Sequence, residues 1–141
     1  MDNFTFYAPT YFDFGKGAEK HVADLIKKFG GHKVLLHYGG GSIKKNGIYE
    51  EISGILKAAG KTVTEFTGIM SNPTYAKVQE GAKLARENHV DLILAVGGGS
   101  VSDCCKIVSA QAKLDEDIWE MQTVRHALPT EFIPMVTIVT V

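Results

Sequence analysis

The sequence is poor in cysteine, and this scarcity excludes one class of protein. Its two cysteines, Cys104 and Cys105, are adjacent in a chain of 141 residues. Neighbouring cysteines rarely bond to each other, because the geometry of a disulfide strains the peptide between them. We therefore exclude a disulfide-stabilised secreted domain and expect two reduced, mostly buried thiols in a cytoplasmic protein.

The sequence also lacks an excess charge, a long apolar run and a secretion signal. Its 15 basic and 16 acidic residues give a formal net charge of −1, so no global field attracts nucleic acid. The longest apolar stretch, residues 133–141, has the length of a strand, whereas a membrane-spanning helix needs roughly 18 apolar residues. The first residues contain no basic segment followed by an apolar one. We expect neither a nucleic-acid partner nor a membrane.

Motifs of nucleophilic, ATP-dependent and metal chemistry are missing as well. The sequence contains no G-x-S-x-G, no G-x-x-x-x-G-K-[ST] and no H-E-x-x-H. The histidines show no paired spacing of metal ligands, and we expect them at the surface or in packing: His21, His32, His37, His89 and His126. The chain is therefore predicted to bind a ligand and to contribute no catalytic group or metal site.

Apolar residues recur with strand and helix periods in turn along the chain. Their spacing predicts strands at residues 34–37, 62–66, 91–96 and 134–141, and helices at 18–29, 48–59, 75–88 and 100–113. A helix between successive strands makes those strands run parallel. We predict one domain over residues 1–141, an α/β Rossmann-like parallel sheet covered by helices.

Two segments are less regular. Residues 4–7 and 11–14 alternate aromatic with smaller residues and predict a short amino-terminal β-hairpin or edge. Residues 114–128 are polar and mixed. They predict a short helix or an irregular loop anchored by Ile118, Trp119 and Val124.

The chain is organised around three consecutive glycines that follow its most apolar strand. Gly97, Gly98 and Gly99 lead into Ser100 at the start of a helix. Glycines let a phosphate approach the main-chain amides, and the positive end of a helix favours an anion. Asp103 either forms a capping box with Ser100 or hydrogen-bonds a ribose or a nicotinamide amide. This loop predicts a pyrophosphate site. The alternative is a tight strand-to-helix turn without a ligand, for which one or two glycines would be enough.

A second triple glycine, with a serine after it, occupies residues 39–42 behind an earlier strand. NAD sites usually place an acidic residue at the end of a strand to accept from the ribose hydroxyls. Here no acidic residue follows until Glu50, and the first charges are those of Lys44 and Lys45. This pattern favours a 2′-phosphate, and so NADP(H) over NAD(H). The alternative is that both lysines belong to an ordinary solvated helix surface.

Two further polar residues are predicted at the same edge of the sheet. Asn72 follows the second strand and either hydrogen-bonds the ligand or caps the next helix. Thr140 stands near the carboxyl end of the last strand, where loops of a parallel sheet build binding sites. Together with both glycine loops they predict one extended phosphate-bearing ligand.

Four segments in this order resemble the amino-terminal domain of iron-containing (group III) alcohol dehydrogenases, and among them the NAD(P)H-dependent butanol dehydrogenases. They are residues 14–17, residues 38–42 with Lys45 and Gly47, residues 71–73, and residues 95–103. Enzymes of this family have such a dinucleotide-binding domain and a carboxyl-terminal helical domain that holds a divalent metal, usually iron or zinc.

The resemblance implies a set of cofactor-binding residues. It assigns the pyrophosphate to residues 97–100, the nicotinamide end to Asp103, and the adenosine ribose with its 2′-phosphate to residues 39–42. Asn72 and Thr140 match positions that line the cofactor. The full set is Gly39, Gly40, Gly41, Ser42, Lys45, Asn72, Gly97, Gly98, Gly99, Ser100, Asp103 and Thr140.

The resemblance also implies what lies outside these residues. The family's metal ligands have no counterparts here, so we expect an amino-terminal part of a longer two-domain enzyme, with the metal held only in the full-length protein. That enzyme would transfer hydride between NADP(H) and a primary alcohol or aldehyde. Whether it forms a homodimer is left open by the sequence. The alternatives are a non-catalytic nucleotide- or anion-binding module and a kinase-like protein whose glycine loops bind ATP. The lack of a loop lysine and of magnesium carboxylates disfavours the kinase.

Overall fold

A computed structural model describes residues 3–140 and contains a four-stranded sheet. The strands are β1 (Lys33–Tyr38), β2 (Thr62–Phe66), β3 (Leu92–Gly97) and β4 (Met135–Val139). They lie in the order β2-β1-β3-β4, and every neighbouring pair is parallel. The predicted parallel α/β sheet is confirmed. Because the strands all point the same way, their carboxyl ends share one edge, where ligands bind in such sheets.

The helices occur in the predicted order. A 3₁₀ turn (Ala18–His21) leads into α1 (Val22–Lys28). Strand β1 is followed by α2 (Ser42–Lys45) and α3 (Ile48–Ala58), and β2 is followed by α4 (Tyr75–Glu87). Strand β3 is followed by α5 (Gly99–Gln111), and α6 (Ile118–Thr123) precedes β4. The short helix α2 was not predicted. Val141, the last residue of the predicted fourth strand, lies outside the described residues. No helix within residues 3–140 is long and apolar enough to cross a bilayer.

Two apolar layers cover the sheet, because alternate residues of each strand point to opposite faces. On one face Leu35 and Ile93 pack with α4 and α5 in a cluster that includes Val108. On the other face Leu36 packs with α1 and α3 in a cluster that includes Ile52. The central strands β1 and β3 are buried along nearly their whole lengths. The two strands that precede the glycine loops are therefore packed on both faces by the apolar core.

The predicted amino-terminal β-hairpin or edge is wrong. Residues 3–14 form no strand, and this segment exposes six aromatic side chains: Phe4, Phe6, Tyr7, Tyr11, Phe12 and Phe14. Alternating aromatic residues form a strand only where a neighbour accepts their backbone hydrogen bonds and covers one face. Within the described residues no strand pairs with this segment.

The polar segment between α5 and β4 forms helix α6 and a loop. Ile118 is buried as predicted, whereas Trp119 and Val124 are 61% and 72% exposed, which corrects their assignment as anchors. Met121 is the second buried residue of the helix, because residues three apart share a helix face. Asp117 starts the helix by accepting hydrogen bonds from two backbone N–H groups of its first turn.

Candidate functional site

The second glycine loop joins β3 to α5 through a turn that requires glycine at its first position. Gly97 ends β3 with φ +155°, and a Cβ there would lie 2.7 Å from Cγ2 of Val101. Gly98 is the N-cap residue of α5, and no side chain caps the helix. The N–H groups of the first helical turn have no partner inside the helix. The loop therefore presents donors and the positive end of a helix dipole to an anion.

The predicted capping box between Ser100 and Asp103 is wrong. The Ser100 hydroxyl donates to the main-chain carbonyl of Ser71 at 2.6 Å, and the Asp103 carboxylate accepts from Lys106 Nζ at 3.0 Å. A capping box needs its hydroxyl at the N-cap position, but α5 already begins at Gly99. The Asp103 side chain is 71% exposed, and its role toward a ligand stays a prediction.

The two glycine loops meet on one side chain, Val101 of α5. Its Cγ2 atom lies 2.7 Å from the Cβ position of Gly97 and 3.6 Å from that of Gly39. The carbonyl oxygen of Ile69 lies 3.3 Å from the Cβ position of Gly39. The loop after β2 thus lies directly behind the first glycine loop. Packing on Val101 and Ile69 brings both glycine loops into one continuous surface.

The other glycines of both loops face open space. A Cβ at Gly40, Gly41 or Gly99 would meet no atom within 4 Å, and a Cβ at Gly98 would meet the Thr140 carbonyl oxygen at 4.0 Å. A main chain without side chains in front of it lets a phosphate or a ribose approach its N–H groups. The residues of these loops therefore fit a nucleotide.

Asn72 lies in the loop that reaches the second glycine loop. The hydrogen bond between its neighbour Ser71 and Ser100 brings this loop against the first turn of α5. Asn72 is exposed and does not cap α4, because the N-cap of that helix is Thr74, whose hydroxyl accepts from the N–H of Lys77 at 3.3 Å. The capping alternative for Asn72 is therefore wrong, and its contact with a ligand stays a prediction.

Thr140 continues the pairing of β4 with β3 by one residue. Its N–H donates to the carbonyl of Gly97 at 3.0 Å. This bond places the Thr140 main chain beside the second glycine loop, at the predicted edge. The role of the Thr140 hydroxyl toward a ligand stays a prediction.

The two lysines after the first glycine loop have different surroundings. Ser42, Lys44 and Lys45 lie on α2 and are exposed. Lys44 Nζ lies 4.8 Å from the ring centroid of Tyr49 and 5.5 Å from that of Tyr38, within the range of a cation–π interaction. The Lys45 side chain makes no hydrogen bond or ion pair in the described part of the chain. Lys44 is therefore the lysine whose position neighbouring side chains restrict.

Glu65 of β2 joins this group, and no pattern in the sequence pointed to it. Its carboxylate accepts from the Tyr38 hydroxyl at 2.8 Å and from the Tyr49 hydroxyl. The Tyr49 hydroxyl holds the pKa of Glu65 below its ordinary value, with smaller contributions from Tyr38 and from the Lys44 charge. Burial, together with the carboxylate, raises the pKa of Tyr38 to about 12. An ionised carboxylate and a lysine therefore contact the same two tyrosines next to the first glycine loop.

His37 lies one residue before the end of β1 and is fully buried. Of the two predicted environments, the surface and the packed interior, it therefore occupies the interior. Its ring centroid lies 4.5 Å from that of Phe66, and neither ring nitrogen has a hydrogen-bond partner among residues 3–140. Burial, with a smaller effect of the Lys77 charge, lowers the pKa of His37 to about 3. The imidazole is therefore neutral near pH 7 and supplies no charge to the site.

The described residues do not fit the iron or zinc that the resemblance implies. No group of three or more His, Cys, Asp or Glu side chains within residues 3–140 could hold a metal ion. Catalytic zinc sites, by comparison, use three protein ligands.

The comparisons with known proteins agree with this geometry. Residues 9–141 match the family model of iron-containing alcohol dehydrogenases. The chain is 47% identical over 133 residues to the probable NADH-dependent butanol dehydrogenase 2 of Bacillus subtilis, an alignment that covers 92% of this chain and 34% of that protein. It is 43% identical over 118 residues to the NADPH-dependent aldehyde reductase YqhD of Escherichia coli, covering 84% of this chain and 30% of that protein.

A solved structure has the same fold over the whole chain. NADH-dependent butanol dehydrogenase A of Thermotoga maritima superimposes with a TM-score of 0.92 at 39% identity, over 100% of this chain and 35% of that one. This chain thus spans about a third of the length of the relatives it matches. The family model covers nearly all of the sequence, including both glycine loops and the loop between them. The chain belongs to the iron-containing alcohol dehydrogenase family.

Proposed function

We propose that this chain is the cofactor-binding part of a metal-dependent alcohol dehydrogenase or aldehyde reductase of the cytoplasm. Hydride would pass between NADP(H) and a primary alcohol or aldehyde. The observation that carries the proposal is the pair of open glycine loops packed on Val101. The family match and the names of the relatives, a butanol dehydrogenase and an aldehyde reductase, support the reaction class. The metal would be bound outside residues 3–140.

The chain's own residues would bind and orient the cofactor, whose nicotinamide supplies the hydride chemistry when bound. The main-chain amides of residues 97–100 and the dipole of α5 would hold the pyrophosphate. Residues 39–42 would surround the adenosine ribose. Asn72 and Thr140 would line the cofactor between these loops, and Asp103 would lie near its nicotinamide end.

The proposed preference for NADP(H) rests on charge around the first glycine loop. The loop itself contains no carboxylate, and Lys44 and Lys45 follow it directly on α2. A 2′-phosphate gains charge-assisted hydrogen bonds from such lysines, whereas ribose hydroxyls gain more from a carboxylate acceptor. The names of the relatives include both NADH-dependent and NADPH-dependent enzymes.

Calorimetric titration of the 141-residue chain with NADPH, NADH and ATP tests the proposal. We expect the highest affinity for NADPH, a lower one for NADH and the lowest for ATP. A preference for ATP would remove the dehydrogenase assignment.

A substitution in the first loop tests which part of the cofactor this loop contacts. Gly40 is better suited than Gly39, because a Cβ at Gly39 would lie 3.3 Å from the Ile69 carbonyl oxygen, whereas Gly40 faces open space. Gly40→Asp is expected to shift the preference toward NADH. Gly54→Asp, which adds the same charge at an equally open position on α3, is the matched control. An unchanged ratio of NADPH to NADH affinity in Gly40→Asp would show that the loop does not contact the 2′-phosphate.

A separate experiment tests whether the metal is bound outside this chain. The 141-residue chain alone, with iron or zinc added, is expected to show no NADPH-dependent reduction of butyraldehyde. Clear turnover would contradict the assignment of the metal to residues outside this chain.

A non-catalytic nucleotide- or anion-binding module is the second candidate, favoured by the lack of a three-ligand group within residues 3–140. Such a module gains nothing from the nicotinamide. Equal affinities for NADPH and for 2′,5′-ADP would support it, whereas tighter binding of NADPH supports the dehydrogenase.

A further inference from the structure

We propose that Lys44, held in place by Tyr38, Tyr49 and Glu65, distinguishes dinucleotides with a 2′-phosphate from those without one. The proposal deepens the proposed function and rests on it. The charge pattern of the sequence left both lysines and an ordinary solvated surface open, and the resemblance named Lys45. The geometry points instead to Lys44 as the specificity-determining residue.

The position of Lys44 follows from the way that α2 grows out of the first glycine loop. The helix begins at Ser42, directly after Gly41, and the Lys45 N–H bonds back to the Gly41 carbonyl at 3.2 Å. Ile43 is buried beneath the helix. The backbone of this turn is therefore fixed at both the loop and the core, and Lys44 cannot move far from the loop.

The two tyrosines restrict the Lys44 side chain further. Their rings pack against each other edge to face, with centroids 5.6 Å apart, and Lys44 Nζ lies within 6 Å of both centroids. A flexible lysine at a surface loses several rotamers when it binds a ligand. A lysine already held over two aromatic faces has lost part of that freedom beforehand, so more of the attraction to a phosphate appears as binding energy.

Glu65 holds the two tyrosines that lie beside Lys44. Each of its carboxylate oxygens accepts one tyrosine hydroxyl. A carboxylate at the end of the strand next to the first glycine loop is the group that in many NAD sites accepts from the ribose. Here the two tyrosine hydroxyls already occupy one acceptor site on each carboxylate oxygen. The Lys44 ammonium is the positively charged group of this cluster, and its charge favours a phosphate.

The test compares dissociation constants for NADPH and NADH, measured by calorimetry on the 141-residue chain at one fixed, low salt concentration. Lys44→Met keeps the aliphatic stem and removes the charge. It is expected to weaken NADPH binding about tenfold and to leave NADH binding within about twofold. Lys44→Arg, which keeps the charge and packs on tyrosine rings, is expected to retain the wild-type ratio. Lys57→Met, an exposed lysine of α3, is the control for a general loss of positive charge.

A pair of tyrosine variants tests the positioning step. Tyr49→Leu removes the ring below Lys44 and is expected to lower the NADPH to NADH discrimination, whereas Tyr49→Phe keeps the ring and most of the discrimination. A merely structural effect would weaken the binding of both cofactors equally, and NADH affinity therefore reports on folding.

The possible failures are distinguishable. If the wild-type chain binds neither dinucleotide, the proposed function fails. If it binds them and Lys44→Met changes both affinities equally or neither, this inference alone is overturned. The inference is also overturned if Lys45→Met, and not Lys44→Met, changes the ratio. It holds if Lys44→Met selectively weakens NADPH, whichever cofactor the wild type prefers.

Discussion

The hydroxyl of Ser100 donates a hydrogen bond of 2.6 Å to the main-chain carbonyl of Ser71. This bond ties the loop after β2 to the first turn of α5. Both segments belong to the proposed cofactor site, and the bond therefore supports the fold and the site together.

Ser100→Ala removes this bond and leaves the Ser71 carbonyl without its donor. We expect the free energy of unfolding to fall by about 1 kcal/mol, measured by urea denaturation. Ser102→Ala is the matched control, because its hydroxyl makes a longer bond of 3.4 Å to the Gly98 carbonyl within the same helix. If the free energy of unfolding falls equally in both variants, the bond to Ser71 stabilises the fold no more than the Ser102 bond does.

Gly97→Ala and Gly99→Ala separate the structural from the ligand-facing glycines. The first places a Cβ 2.7 Å from Val101 at a φ of +155° and should lower stability by about 1–3 kcal/mol. The second faces open space and should change stability by less than about 0.5 kcal/mol while weakening NADPH binding. Thermal unfolding and calorimetry measure the two effects. A stable Gly97→Ala variant would contradict the tight turn.

His37 makes stability depend on pH. Its pKa is about 3 in the folded chain against 6.5 for an ordinary histidine. Between these values the unfolded chain binds a proton that the folded chain does not. Stability should therefore fall as the pH decreases through this window, by up to about 1.4 kcal/mol per pH unit.

His37→Leu tests this prediction, because it replaces the titrating ring beside Phe66 with an apolar side chain. Urea denaturation at a series of pH values between 4 and 7 should show a shallower slope than in the wild type. An unchanged slope in His37→Leu would show that other groups carry the acid sensitivity.

The two cysteines should be inert in the folded chain. Both are buried, burial raises the pKa of Cys104 to about 11, and burial raises the pKa of Cys105 as well. The thiolate is the reactive form, so a thiol reagent at pH 8 should label neither residue until urea unfolds the chain. One rapidly labelled thiol in the native protein would show that the α5 face opens.

The order of the elements was predictable because it depends on local patterns. Leu35, Leu36, Leu94 and Val96 lie in short apolar runs with glycine behind them, and such runs form buried strands wherever helices cover both faces. Parallel strands place their carboxyl ends at one edge, and so the sequence also predicted that the glycine loops share an edge.

The failures of prediction involve side chains whose partners are distant in sequence. Ser100 has the spacing of a capping residue, yet its hydroxyl bonds to Ser71, 29 residues away. Trp119 was expected to be an anchor, but Met121 lies on the buried face of α6 and Trp119 is exposed. The aromatic residues before Phe14 lack a neighbouring strand among the described residues. In each case the local pattern is compatible with two environments, and packing selects one.

The α/β alternation, the two glycine loops and their common edge can be read from the residues alone, because they follow from hydrophobic period and from the geometry of parallel strands. The packing of both loops on Val101, and the contact of Glu65 with Tyr38 through the pairing of β1 with β2, become visible in the folded chain. It also placed Lys44 over two tyrosine rings. These contacts join residues that are separated along the chain, and the free energy that selects them comes from burial and hydrogen bonding in the folded state.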